Sequence, residues 1–452
     1  MQDNKNFLGT EPVGKLLLKL SIPTVIAQLI NMLYNIVDRI YIGKIPGEGT
    51  LALASIGLCF PFVTLITAFA NLFGLGGAPL CAMARGKGNR EGAQGIMVNA
   101  GFMLLLSGAV LTVLGIAFHR PLLYLFGASE VTYPYASSYI VIYLLGTLCV
   151  MLSLGLNPYI NCQGFARIGM LTVALGAAAN IVLDPIFIFA LHLGVRGAAI
   201  ATVLSQFLSA AWVVKFLTGK KAELKLDFRG FCPDWHCIQH ITVLGIASFV
   251  MSFTDMLVQV ACNSMLRGFG GDLYISVMTV LNSVRQIAQT PVLAIADGAS
   301  TAISYNYGAG LYKRTRDAIR FMTQIAIGYT MLVWMLVSLF PALFIRIFNQ
   351  DAELVAAAVP ALHIYFFGFV MMAFQYSGQS TFRALGRAKY AVFFSLLRKA
   401  FIVVPLTLLL PYCWNLGVSG VFAAEPVSNC IGGLACYLTM RHVVMPELKM
   451  ES

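Results

Sequence analysis

The sequence predicts an all-α integral membrane protein: twelve transmembrane helices in two parallel six-helix lobes, related by a pseudo-two-fold axis along the membrane normal. Three observations predict it. Hydrophobic residues make up 59% of the 452 and charged residues only 11%, with a mean hydropathy of +0.80, well outside the range of a soluble domain. Apolar runs long enough to cross about 30 Å of hydrocarbon recur along the chain. Motifs of the first half return in the second.

The runs lie near 15–43, 51–79, 94–117, 133–160, 167–190 and 194–217, then 238–266, 273–304, 317–340, 355–382, 388–410 and 416–439. With both termini cytoplasmic, the outside segments hold five basic residues (Lys44, Arg120, Arg196, Arg267, Arg346) and the spans four deep ones (Arg39, Arg285, Arg398, Lys399). The other 21 of the 30 Lys and Arg lie inside. This positive-inside bias sets the orientation in the cell membrane. It also accounts for the net charge of +11, so nucleic-acid binding is not needed to explain it. The polar first fourteen residues lack a cleavable signal pattern, so the first span is expected to remain in place.

Most of the ten cysteines fall in or beside spans, where they read as small packing residues rather than a disulfide framework. "CPDWHCIQH" (232–240) offers Cys232, His236, Cys237 and His240 to a metal, but at a spacing that matches no zinc pattern. "RGKGNR" (85–90) is basic and Gly-rich without the strand or Ser/Thr of a phosphate loop, and reads as a tight turn.

"LGVRGAAIATVLSQ" (193–206) aligns with "LGVSGVFAAEPVSN" (416–429), identical at six of fourteen positions at an offset of 223. A weaker, gapped match pairs 76–88 with 297–310. Six spans per repeat return the chain to its starting side, which makes the halves parallel. The lobes are expected at 1–217 and 238–452, joined by a cytoplasmic loop at 218–237, with a cleft between them suited to alternating access.

Within the fifth span, "ANIVLDPIFIF" (179–189) places a carboxylate in an apolar run. On insertion scales that costs about 2.5–3.5 kcal/mol near a helix centre, so the side chain should face a polar cavity. Asn180 and Asp184 stack on one helical face, and Pro185 frees the carbonyl of Ile181 as a further oxygen. In the first span, Gln28, Asn31, Asn35 and Asp38 form a polar stripe with Tyr34 beside it. Hard oxygen donors suit a small cation or a proton. The alternative is structural, with Asp38 capping or pairing with Arg39 and Asp184 near the outer interface.

Together, "YNIVDRIYIG" (34–43), "NIVLDPIFIF" (180–189), "LGVRGAAIAT" (193–202) and "SYNYGAG" (304–310) resemble the multidrug and toxic compound extrusion (MATE) family in its bacterial branch, over essentially the whole chain. The resemblance implies an antiporter rather than an enzyme, a monomer with no cofactor, that expels cationic lipophilic small molecules in exchange for Na+ or H+. It also implies a cation site at Asp38, Asn180, Asp184 and Thr202, with Tyr34 and Asn35 as secondary candidates. Another branch of the family uses acids in the seventh and tenth helices. Asp255 fits the seventh, but the tenth span here has no Asp or Glu.

The repeat sets Thr202 opposite Glu425 and, through Pro185 and Pro405, Asp184 opposite Val404. Ion chemistry is thus expected in the first lobe only. Glu425, with Asp255 second, is a candidate to attract cationic substrate in the cleft, or else a structural acid paired with Arg398 or Lys399. Two other function classes make different demands on the spans. A flippase for a lipid-linked saccharide predicts an Arg-rich cavity, whereas the spans mix five acids with four bases. A membrane enzyme predicts metal ligands or an activated nucleophile, and only His363 among six histidines lies well inside a span.

Overall fold

Every expected span is helical in the computed structural model, which describes residues 7–46, 49–348 and 350–450. The first six are α1 (Val13–Gly43), α2 (Gly49–Gly86), α3 (Arg90–Leu125), α4 (Tyr133–Leu145 and Thr147–Cys162), α5 (Ala166–Pro185 with a π-helical extension Ile186–Ala190) and α6 (Gly194–Thr218). The second six are α7 (Trp235–Gly271), α8 (272–308), α9 (Tyr312–Leu339), α10 (Ala352–Phe366 and Met371–Ala384), α11 (Ala388–Leu409, π-helical over Leu397–Val403) and α12 (Val418–Met450). Among the described residues nine helices are singly long and apolar enough to cross a bilayer, and the bent α4 and α10 bring the count to eleven. The twelfth, α8, continues from α7 after a break at Gly271, whose φ of 65° suits glycine.

The sequence repeat is also a repeat of backbone geometry. His192 and Gly194 before α6 have φ of 53° and 52°, and Asn415 and Gly417 before α12, each 223 positions on, have 56° and 51°. α4 bends by 56° at Gly146 and α10 by 49° across 367–370, at Gly368. Each bend brings the backbone against the sixth helix of its own half. A Cβ on Gly146 would sit 2.5 Å from Val203 Cγ2, and one on Gly368 would sit 2.6 Å from the carbonyl of Pro426. α5 and α11, the fifth helices, both depart from α to π geometry beside the aligned prolines, Pro185 and Pro405.

The chain divides into two compact units, one of residues 22–245 and one of 246–452 with the residues up to Ser21. The first turns of α1 therefore belong to the second unit, where Arg314 and Asn306 donate to the carbonyls of Glu11 and Leu8. The loop expected between the lobes, 218–237, packs on the first unit. Glu223 pairs with Arg85, Leu224 N–H donates to Gln163 Oε1 at 2.9 Å, and Asp234 N–H to Asn99 Oδ1 at 2.9 Å.

Candidate functional site

In the first unit, α5 buries Asn180 and Asp184 at 1% and 0% exposure. One turn apart, they are linked by Asn180 Nδ2, which donates to Asp184 Oδ1 at 3.2 Å. From α1, the Asp38 carboxyl reaches hydrogen-bonding range of Asp184, and Tyr34 lies close to both acids. Asp184 is fully buried, and Arg39 acts on Asp38 only through its charge, with no ion pair between the two among the described residues.

Thr202 is buried on α6. That helix runs antiparallel to α5, with Ser209 Oγ donating to the carbonyl of Thr172 and Gly197 against Phe187. In this register Thr202 lies level with the Asn180–Asp184 turn. Asn35 does not join the site. It is exposed, and its amide donates to the carbonyl of Asn31 at 2.6 Å, the usual intrahelical outlet for a short amide.

Three buried oxygens here have no donor: Asp38 Oδ1, Asn180 Oδ1 and Asp184 Oδ2. A buried acceptor without a partner costs about 1–3 kcal/mol, and more when charged. Here all three belong to one cluster with two carboxylates and, among the described residues, no ion-paired base. Such a constellation is short of positive charge. Two buried tyrosines of α4 complete the surround. Tyr139 lies within electrostatic reach of Asp38, and Tyr143 of Tyr34, their rings near-parallel with centroids 6.2 Å apart. Sequence reasoning missed this pair. Its signal was Tyr135, Tyr139 and Tyr143 recurring every fourth residue on one face of an apolar span.

In the second unit, Glu425 is not a lone acid awaiting a cation. At 4% exposure it takes Arg285 Nη1 at 2.5 Å, Arg398 Nη1 at 3.2 Å and Lys399 Nζ at 3.2 Å. Lys399 also meets Asp255 at 3.0 Å. The expectation that Glu425 attracts cationic substrate is therefore corrected to the paired reading, since three basic groups surround it. Arg398 and Lys399 are consecutive, and both turn to Glu425 from the π-helical stretch of α11. Arg285, which no sequence motif marks for a transport role, is a member of this cluster.

A bundle of bilayer-length helices that buries an uncompensated oxygen cluster defines a multi-pass membrane transporter. The MatE family model matches residues 23–186 and 247–409, one block in each repeat, and the chain belongs to the MatE family, whose members are transporters rather than enzymes. It is similar to the FAD transporter of Shewanella oneidensis (25% identical, covering 99% of this chain and 98% of that protein). It is also similar to the multidrug export protein MepA of Staphylococcus haemolyticus (24% identical, covering 93% and 92%). Its fold matches a crystal structure of MATE in the bent conformation, with a TM-score of 0.93 at 24% identity. An outward-facing multidrug resistance MATE family transporter matches at 0.92 and 24%. Each structural match covers 99% of both chains.

Proposed function

We propose that the protein is a secondary active exporter of lipophilic organic compounds, driven by inward Na+ or H+ at Asp38, Asn180, Asp184 and Thr202 and working by alternating access in the cell membrane. The observation that carries this reading is the set of three donorless oxygens on Asp38, Asn180 and Asp184. A monovalent cation would satisfy all three at once, and a proton shared by the acids would remove their repulsion, so one site serves either ion. Drug export by the MepA relatives supports an organic cargo, and a FAD transporter among the relatives supports a frame not tied to one class. The cationic cargo implied by the resemblance had Glu425 as its attractor. Glu425 is neutralised by the three bases around it and leaves the sign of the cargo open to the rest of the cluster.

The test uses purified protein in liposomes and follows a fluorescent dye under an imposed Na+ gradient or pH gradient. Wild type should move dye under one of the two, and Asp184→Asn under neither. Equal gradient-driven movement in wild type and Asp184→Asn would refute the coupling role.

A further inference from the structure

We propose that a cavity at Arg285, within the second unit, binds the anionic group (carboxylate, sulfonate or phosphate) of a transported organic solute. This deepens the transport reading above and rests on it for the solute's passage. The cavity is small, with about 20 Å³ of space open to a water-sized group, and is lined by Asp255, Gln259, Asn282, Arg285, Tyr365 and Glu425 among others.

The charge count decides the sign of its ligand. Arg285, Arg398 and Lys399 stand against Glu425 and Asp255, three positive groups to two negative, within one network of ion pairs. Of these five groups Arg285, Glu425 and Asp255 line the cavity, and both acids are matched by Arg398 and Lys399 behind its wall. Arg398 and Lys399 are 5% and 2% exposed, while Arg285 lines the space. Arg285 spends Nη1 on Glu425, and the rest of its guanidinium has no hydrogen-bond partner among the described residues. A planar fork with free N–H groups in a partly desolvated wall is suited to an oxyanion.

The arginine is also pre-organised. Glu425 fixes one side of the guanidinium, which lies 5.6 Å from the Tyr365 ring centroid. Tyr365 Oη donates to Asn282 Oδ1 at 2.9 Å, Asn282 Nδ2 to Gln259 Oε1 at 2.8 Å, and Gln259 Nε2 to Asn263 Oδ1 at 3.2 Å, so the polar wall is ordered before a ligand arrives. Holding the fork in place beforehand lowers the entropy lost on binding. Val258, Met278 and Val421 offer apolar surface to the organic body of the ligand. Asp255 opposes an anion least, because Lys399 already matches its charge.

The experiment measures equilibrium binding to the purified full-length protein in phosphatidylcholine nanodiscs by fluorescence polarisation. The probes are carboxyfluorescein and rhodamine 6G, xanthene dyes of opposite charge. Wild type should bind carboxyfluorescein, Arg285→Gln at least tenfold more weakly, and Arg285→Lys within a few-fold of wild type, while rhodamine 6G does not lose affinity in Arg285→Gln. No carboxyfluorescein binding, or equal binding in wild type and Arg285→Gln, would overturn the proposal. Arg285→Gln leaves Glu425 paired with Arg398 and Lys399, and the Lys variant guards against a folding artefact.

Repeating the titration with phosphatidylglycerol in the disc separates two sources of the same chemistry. Displacement of the dye from wild type in phosphatidylglycerol discs but not in phosphatidylcholine discs assigns the site to a lipid headgroup, and no displacement in either assigns it to a soluble anion. Because no gradient is applied, Asp184→Asn should bind the dye normally. Failure of ion coupling and failure of the anion site are therefore read independently.

Discussion

Asn180 Nδ2 donates to Asp184 Oδ1 one helical turn away, which turns Asn180 Oδ1 and Asp184 Oδ2 into acceptors with no protein donor. The bond orients both side chains, so the site's oxygens are set by the helix itself. Asp38 adds a third such oxygen from α1.

Thr202 is an uncharged member of the proposed cation site, so its removal should weaken cation binding without abolishing it. Thr202→Ala is expected to lower apparent affinity for the coupling ion by roughly tenfold, the worth of about one hydrogen-bond-scale contact, and Thr202→Ser to restore it. The measurement is transport rate against coupling-ion concentration in liposomes. An unchanged curve for Thr202→Ala would remove that residue from the site.

Glu425→Gln should be the more damaging change to stability. It leaves Arg285, Arg398 and Lys399 in one buried cluster with only Asp255 opposing them, at an expected cost of about 3–5 kcal/mol. The melting temperature in detergent should fall, and adding Lys399→Met should recover part of the loss. A Glu425→Gln protein as stable as wild type would mean the three cations do not depend on that carboxylate.

Close helix packing in the first unit rests on Gly245 of α7, where an added Cβ would overlap the carbonyl of Leu72 on α2. Backbone cannot yield as a flexible side-chain tip can. Gly245→Ala is expected to cost about 1–3 kcal/mol. Gly328→Ala on α9, with nothing within 4 Å of its Cβ, should be neutral or slightly stabilising by thermal melt.

Two exposed free cysteines report the orientation. Cys232 lies in the loop before α7 and Cys413 in the turn between α11 and α12. With cytoplasmic termini, a membrane-impermeant maleimide should label Cys413 in intact cells and Cys232 only in inverted vesicles. The opposite pattern would invert the topology.

The twelve spans were legible because bilayer length and apolar composition are local properties, and each expected span has its helix. Asp38, Asn180 and Asp184 were legible for a related reason: a polar residue in hydrocarbon is conspicuous by its cost. Placement was harder. Asn35 shares a stripe with Asp38 in sequence, yet it lies exposed and bonds its own helix backbone. The partnership of Arg285 with Glu425 spans 140 positions and depends on how α8 and α12 pack, which no local pattern encodes. The bends at Gly146 and near Gly368 were also hidden, since neither is at a proline and both follow from a tight approach to a neighbouring helix.

The central claim, that the Asp38–Asn180–Asp184 cluster holds the coupling ion, is tested most directly by titrating purified protein with 22Na+ while a pH-sensitive dye follows protons released or taken up. Wild type should show saturable binding of one of the two ions, and both Asp38→Asn and Asp184→Asn, each still monodisperse, should lose it. Ion binding that survives unchanged in both variants would contradict the account.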